Sequence, residues 1–72
     1  MKESQKAQEL IEKYYKEQLS NSNYLVHTFY NSLMNWYNVW VLDDYFKRVE
    51  GVLLVDDEVF DKIKKYYKDK KK

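Results

Sequence analysis

A single imidazole, a short acidic run and a lysine-rich end are the groups in this chain with chemistry to offer. His27 is the only histidine. A general base needs a nucleophile or an orienting carboxylate within hydrogen-bond reach. The nearest acids in sequence are Glu17 and Asp43, and neither spacing brings a carboxylate to the helical face of His27, which reads as a surface hydrogen-bonder. Asp56, Asp57, Glu58 and Asp61 could present oxygens to Mg²⁺ or Ca²⁺. The run has no internal glycine and no EF-hand spacing, however, and capping of a helix N-terminus accounts for all four residues. Gly51 is the only glycine, so no phosphate-cradling loop can form. Without cysteine there are no disulfides and no thiolate metal sites. The chain is expected to be no enzyme and to carry no metal or cofactor.

The basic end interleaves Lys62, Lys64, Lys65 and Lys68 with Tyr66 and Tyr67. Positive charge beside stackable rings is what phosphate and single-strand recognition use. The same pattern also describes a solvated helix face with a solubilising tail, because Tyr66 and Tyr67 fall on an apolar stripe. A net charge of +1 supplies no overall attraction to nucleic acid. If nucleic acid is bound, Lys47, Arg48, Lys64, Lys65 and Lys68 are the candidate contacts.

Residues 21–46 contain no lysine or arginine, yet hold eight of the thirteen aromatic residues. Charge-dense segments flank them. This layout assigns a core and an adhesive face to the middle, and solubility to the ends. Seventy-two residues make one domain, and a chain of that size buries only about 60% of its unfolded surface. The missing stability must come from aromatic packing, self-association or a partner. The N-terminal MKESQKAQELIEK lacks the apolar stretch of a signal peptide. The longest apolar runs, 39–42 and 52–55, fall far short of the ~18 residues a membrane span needs. A soluble, cytoplasmic protein with no membrane partner is therefore expected. Richness in Lys, Asn, Tyr and Ile also matches AT-rich codons, which fits a low-GC bacterium or a mobile element.

Three amphipathic stripes are visible. Ala7, Leu10, Ile11, Tyr14, Tyr15 and Leu19 share half of a helical wheel, opposite Lys6, Glu9, Glu12, Lys13, Lys16 and Glu17. Leu25, Val26, Phe29, Tyr30, Leu33, Met34, Trp36 and Tyr37 make a second stripe, with Ser22 or Asn23 as its N-cap. On that wheel Trp36 belongs to the core. Asp56, Asp57 and Glu58 open a third stripe of Val59, Phe60, Ile63, Tyr66 and Tyr67, and lysines crowd its end.

Residues 39–55 are ambiguous. Leu42, Tyr45, Phe46 and Val49 have helical spacing, with Asp43 as a cap and Gly51 at the C-terminal position. The same segment also reads as a hairpin around Glu50 and Gly51. Either way GVLLV (residues 51–55) is extended, and it needs a β partner, either residues 39–42 or the same segment of a second chain.

The polar side of the second stripe, His27, Thr28, Asn31, Ser32, Asn35 and Asn38, carries no formal charge. A solvated helix ordinarily uses Lys or Glu there. Short amides and hydroxyls suit a partly desolvated contact, since burying them costs far less than burying an ion. Tyr24, His27, Asn31, Asn35 and Asn38 are therefore the candidate partner-binding residues.

From residue 46 to 67, FKRVEGVLLVDDEVFDKIKKYY resembles the wing and closing helix of excisionase-type winged helices. That resemblance implies strand, glycine-containing turn, strand and an acid-opened helix, with a recognition helix near residues 24–37 and DNA-binding regulation as the activity.

The expected architecture is α+β and mainly α. Three amphipathic helices, near 4–20, 23–38 and 57–70, enclose an aromatic core, with a short β element before the last helix. The expected function is a small non-enzymatic protein-binding module, a homodimer acting on a host protein as a phage or mobile-element inhibitor or adaptor. A DNA-binding regulator is the alternative.

Overall fold

The computed structural model describes residues 2–19, 23–45, 47 and 53–70. Along the chain these form α1 (Gln5–Glu17), β1 (Leu25–Asn31), β2 (Trp36–Leu42), β3 (Leu53–Val55) and α2 (Asp57–Lys70). The strands make an antiparallel sheet in the order β1-β2-β3, and both helices pack on one of its faces.

The outer stripes fold as their spacing predicts. Ser4 caps α1 in an extended conformation, its hydroxyl accepting from the Ala7 amide at 3.4 Å. Ala7 and Ile11 are buried, with Leu10, Tyr14 and Tyr15 packed around them. At the other end Asp56 Oδ1 accepts from the Val59 amide at 3.0 Å. Asp57 and Glu58 occupy the first turn of α2 and Lys68 and Lys70 the last, each sign at the helix end where the macrodipole favours it. Ile63 is the inward anchor of α2, flanked by Val59, Phe60 and Tyr67. The helices run parallel. Tyr14 packs edge-on against Tyr66 and Tyr67, and Glu17 accepts from the Tyr67 hydroxyl at 3.0 Å and meets Lys70 at 3.7 Å.

The middle stripe is not a helix. The expected three helices around an aromatic core are replaced by two helices on a three-stranded sheet, because residues 25–42 form a β-hairpin. Val26, Thr28, Phe29, Tyr30, Trp36, Tyr37, Val39, Trp40 and Val41 are β-branched or aromatic, the types that fit a pleated surface. Between the strands, Asn31 Oδ1 accepts from the amides of Leu33 at 3.1 Å and Met34 at 3.2 Å, the local bond by which Asn initiates a turn. Asn35 takes φ 57°, a left-handed conformation that Asn tolerates better than most residues. Asn23, expected as a helix cap, precedes a strand instead, and Ser22 lies outside the described residues.

Of the GVLLV segment, Leu53, Leu54 and Val55 pair with Val39, Asn38 and Tyr37 of β2, so the partner is residues 37–39 rather than the expected 39–42, and Gly51 and Val52 lie outside the described residues. Asp43 does not open a helix. Its carboxylate accepts from the Tyr45 and Lys47 amides at 2.9 and 3.0 Å, and its own amide donates to Lys47 O at 2.8 Å, closing a tight loop. The alternative hairpin around Glu50 and Gly51 lies outside the described residues, as do Phe46 and Val49. The winged-helix resemblance fails where it matters most. A strand before an acid-opened helix is present, but the segment of the recognition helix is strand, turn and strand.

The core is the layer between sheet and helices: Ile11 and Ile63 from the helices against Tyr37, Val39 and Val55, all at most 2% exposed. Fully burying such side chains contributes about 1.5–3 kcal/mol each. Tyr37 also ties sheet to helix. Its hydroxyl accepts from the Ser4 amide at 2.7 Å and donates to the Ser4 carbonyl at 2.8 Å.

Candidate interaction surface

Strand alternation sends every second side chain of the hairpin away from the helices. The register pairs Leu25 with Leu42, His27 with Trp40, Phe29 with Asn38, and Asn31 with Trp36, and Leu54 joins this outward set beside Asn38. Helix-facing positions are Val26, Thr28, Tyr30, Tyr37, Val39, Val41, Leu53 and Val55. The outward set has a ring cluster at its middle. Phe29 and Trp40 meet edge to face at 5.3 Å, and the His27 imidazole lies 5.7 Å from Phe29 and 6.3 Å from Trp40. Leu25, His27 and Leu54 are exposed, and Phe29, Trp36, Asn38, Trp40 and Leu42 are half-buried. Apart from the single imidazole, this face has no ionisable group among the described residues.

Both sheet edges are poor templates for another strand. On the β1 edge, the Gln8 side-chain amide donates to the Thr28 carbonyl at 3.0 Å and Lys16 Nζ donates to the Tyr24 carbonyl. Long polar side chains that occupy edge carbonyls block strand addition. Among the described residues the β3 edge is three residues long, Leu53–Val55. The face is more accessible than the edges.

The structure brings together three of the expected partner-binding residues. His27, Asn31 and Asn38 share the outward face, through a period of two rather than a helical wheel. Asn35 sits in the turn, where its Oδ1 accepts from the Tyr30 hydroxyl at 3.2 Å. Tyr24 lies before β1, its carbonyl held by Lys16. Sequence reasoning missed Leu25, Phe29, Trp36, Trp40 and Leu54 as surface residues. Trp36 in particular was expected in the core and is instead outward at the hairpin end. The pointers to this placement were the β-branched and aromatic content of the segment and the Asn-bracketed turn.

The described candidate nucleic-acid contacts lie on two elements, α2 and the Asp43 loop. Lys64, Lys65 and Lys68 are exposed on α2, on the helical side of the sheet. Lys64 is 3.3 Å from Asp61 and sits 5.2 Å from the Phe60 ring centroid. Lys47 is exposed in the Asp43 loop, and Arg48 lies outside the described residues.

The helix pair has its own polar device. Burial raises the Tyr67 hydroxyl well above the usual tyrosine range, and the hydrogen bond to Glu17 adds to the shift. Tyr15 is also raised, first by burial and then by neighbouring Tyr14. Lys13 stands 5.0 Å over the Tyr67 ring. These contacts fasten α1 to α2. Among the described residues, no group of three or more His, Asp or Glu side chains could hold a metal ion. No helix among them is long and apolar enough to cross a membrane. No protein-family model, curated protein or solved structure matches this chain.

Proposed function

We propose that the protein is a non-enzymatic protein-binding module whose contact surface is the outward face of the sheet. The observation that carries this reading is a ring cluster of His27, Phe29 and Trp40, bordered by Trp36, Leu25 and Leu54, on the side away from both helices. Aromatic side chains with few charges are the composition of interface cores, and rigid rings lose little conformational freedom on binding. A partner of matching character is another protein's apolar surface. A nucleic-acid strand also stacks on rings but needs cations along its backbone, and this face has no lysine or arginine among the described residues. His27 stands among rings rather than beside a carboxylate, which supports a contact role over a catalytic one. The setting we propose, on size and composition, is cytoplasmic: an inhibitor or adaptor of the kind mobile elements direct at a host protein.

The test is affinity capture from a bacterial lysate divided into nuclease-treated and untreated halves, with wild type and the exposed-face variant His27→Lys. The reading expects one protein retained in both halves by wild type and lost by the variant. Capture that vanishes with nuclease and falls steeply with salt instead assigns binding to the lysines of α2.

A further inference from the structure

We infer that the outward sheet face packs against the same face of a second copy of this chain, forming a symmetric sandwich with His27 and Asn38 near its two-fold axis. The inference rests on the reading of that face as a contact surface and names its occupant.

The area is the first argument. β1 and β2 are seven residues each, about 24 Å long at about 3.4 Å per residue. With strands about 4.8 Å apart and β3 present at one end only, the plane covers roughly 280 Å². With Leu25 46% and Leu54 42% exposed and the two indoles and the phenyl ring half-buried, the accessible area of the face is about 500 Å², where a large aromatic side chain that was fully open would alone offer about 150–250 Å². Two copies then bury about 1,000 Å² in total, the lower bound for a specific interface. A reversible dimer of micromolar or weaker affinity follows, rather than an obligate one.

Charge is the second argument. A face with one sign of charge would repel its own copy; this one has no fixed charge among its described residues. The exposed sides of α1 and α2 alternate Glu, Asp and Lys, so the described surface most like the outward face is the same face on another copy. The edges do not compete, because Gln8 and Lys16 occupy β1 carbonyls and β3 is short. Sandwiched sheets pack at about 10 Å, close enough for the rings to interdigitate.

The register supplies the third. His27 and Asn38 belong to the two central pairs of the hairpin, opposite Trp40 and Phe29. An isologous interface sets central residues against their own copies, so the imidazole of one protomer meets the amide or imidazole of its partner inside a ring of apolar side chains. The groups facing His27 from its own sheet are Phe29 and Trp40, with no carboxylate and no cation among the described residues.

Sedimentation velocity tests this from about 1 to 500 µM, a range chosen for a micromolar constant, with wild type, His27→Lys, Leu54→Lys and the helix-surface control Lys65→Glu. Far-UV circular dichroism confirms that each is folded. The expected result is a concentration-dependent monomer–dimer equilibrium in wild type and control. Both face variants should weaken it at least tenfold. A monomer throughout the range, or a dimer indifferent to both face variants, overturns the inference. If wild type is monomeric yet captures a foreign protein that His27→Lys loses, the face remains a contact surface and only the second copy is wrong.

Discussion

Replacing Tyr37 with phenylalanine removes one atom and loosens the joint between sheet and first helix. The ring is fully buried, and its hydroxyl makes two short hydrogen bonds to the Ser4 backbone, accepting at 2.7 Å and donating at 2.8 Å. Ser4 is the N-cap of α1. Each bond contributes about 0.5–1.5 kcal/mol net, so losing both costs about 1–3 kcal/mol. Two features pull the value toward the middle. The Ser4 carbonyl keeps a second donor, the Gln8 amide at 3.0 Å, and the Ser4 amide is near enough to solvent for water to reach it. About 2 kcal/mol is the expected loss. A domain of this length has roughly 4–11 kcal/mol in hand at 0.05–0.15 kcal/mol per residue, so Tyr37→Phe should remain folded with a visibly lower midpoint. Urea unfolding followed by circular dichroism measures it. The midpoint should fall with an unchanged slope, and amide exchange should quicken first in the opening turn of α1. A change below about 0.3 kcal/mol, or faster exchange spread evenly over the chain, would refute the claim that this hydroxyl joins the layers.

Other substitutions separate the hairpin from any helical reading. Trp36→Ala should leave the protein folded, whereas Ile63→Ala, in the core, should cost about 2–5 kcal/mol; thermal melts of the pair decide between them. Thr28 is 1% exposed and its hydroxyl makes no hydrogen bond among the described residues, so Thr28→Val should stabilise by about 1 kcal/mol, a rise in Tm of about 4–8 °C. Asn35→Gly should be nearly neutral because glycine accepts φ 57°, while Asn35→Ala should cost about 1–2 kcal/mol in the same melt. Tyr67 has a raised hydroxyl pKa. Its contribution is therefore fully present below about pH 10, the unfolded value, and is lost as pH rises through the higher folded value. Tyr67→Phe should flatten the alkaline end of a stability–pH curve, and an unchanged curve would show that the Glu17 bond is not coupled to folding.

The outer helices were legible because each has one apolar side and one charged side. Ala7, Ile11 and Tyr14 repeat at helical spacing opposite Glu9, Lys13 and Lys16, and the acids and lysines of α2 sit at the ends the macrodipole prefers. The hairpin was not legible for a physical reason. Alternation reveals a strand when one face meets water, and here both faces are apolar: Val26, Tyr30, Tyr37 and Val39 inward, Phe29, Trp36 and Trp40 outward. With the polar half of the signal missing, pairs such as Leu25-Val26 and Leu33-Met34 imitate a helical stripe, although the second pair lies in a turn. The outward sheet face was half legible. Lack of charge set His27, Asn31 and Asn38 apart in the sequence, but a helical wheel sent the aromatic residues beside them to the core. The strand argument for self-association weakens, since Leu53, Leu54 and Val55 find their partner in β2. The argument that remains is the apolar face itself.

Amide correlation spectra recorded by NMR on dilution from about 1 mM to about 20 µM test that face most directly. The account predicts shifts concentrated at residues 25, 27, 29, 31, 36, 38, 40, 42 and 54, with the helix surfaces silent. Shifts along the lysines of α2, or spectra that do not change with concentration, would contradict it.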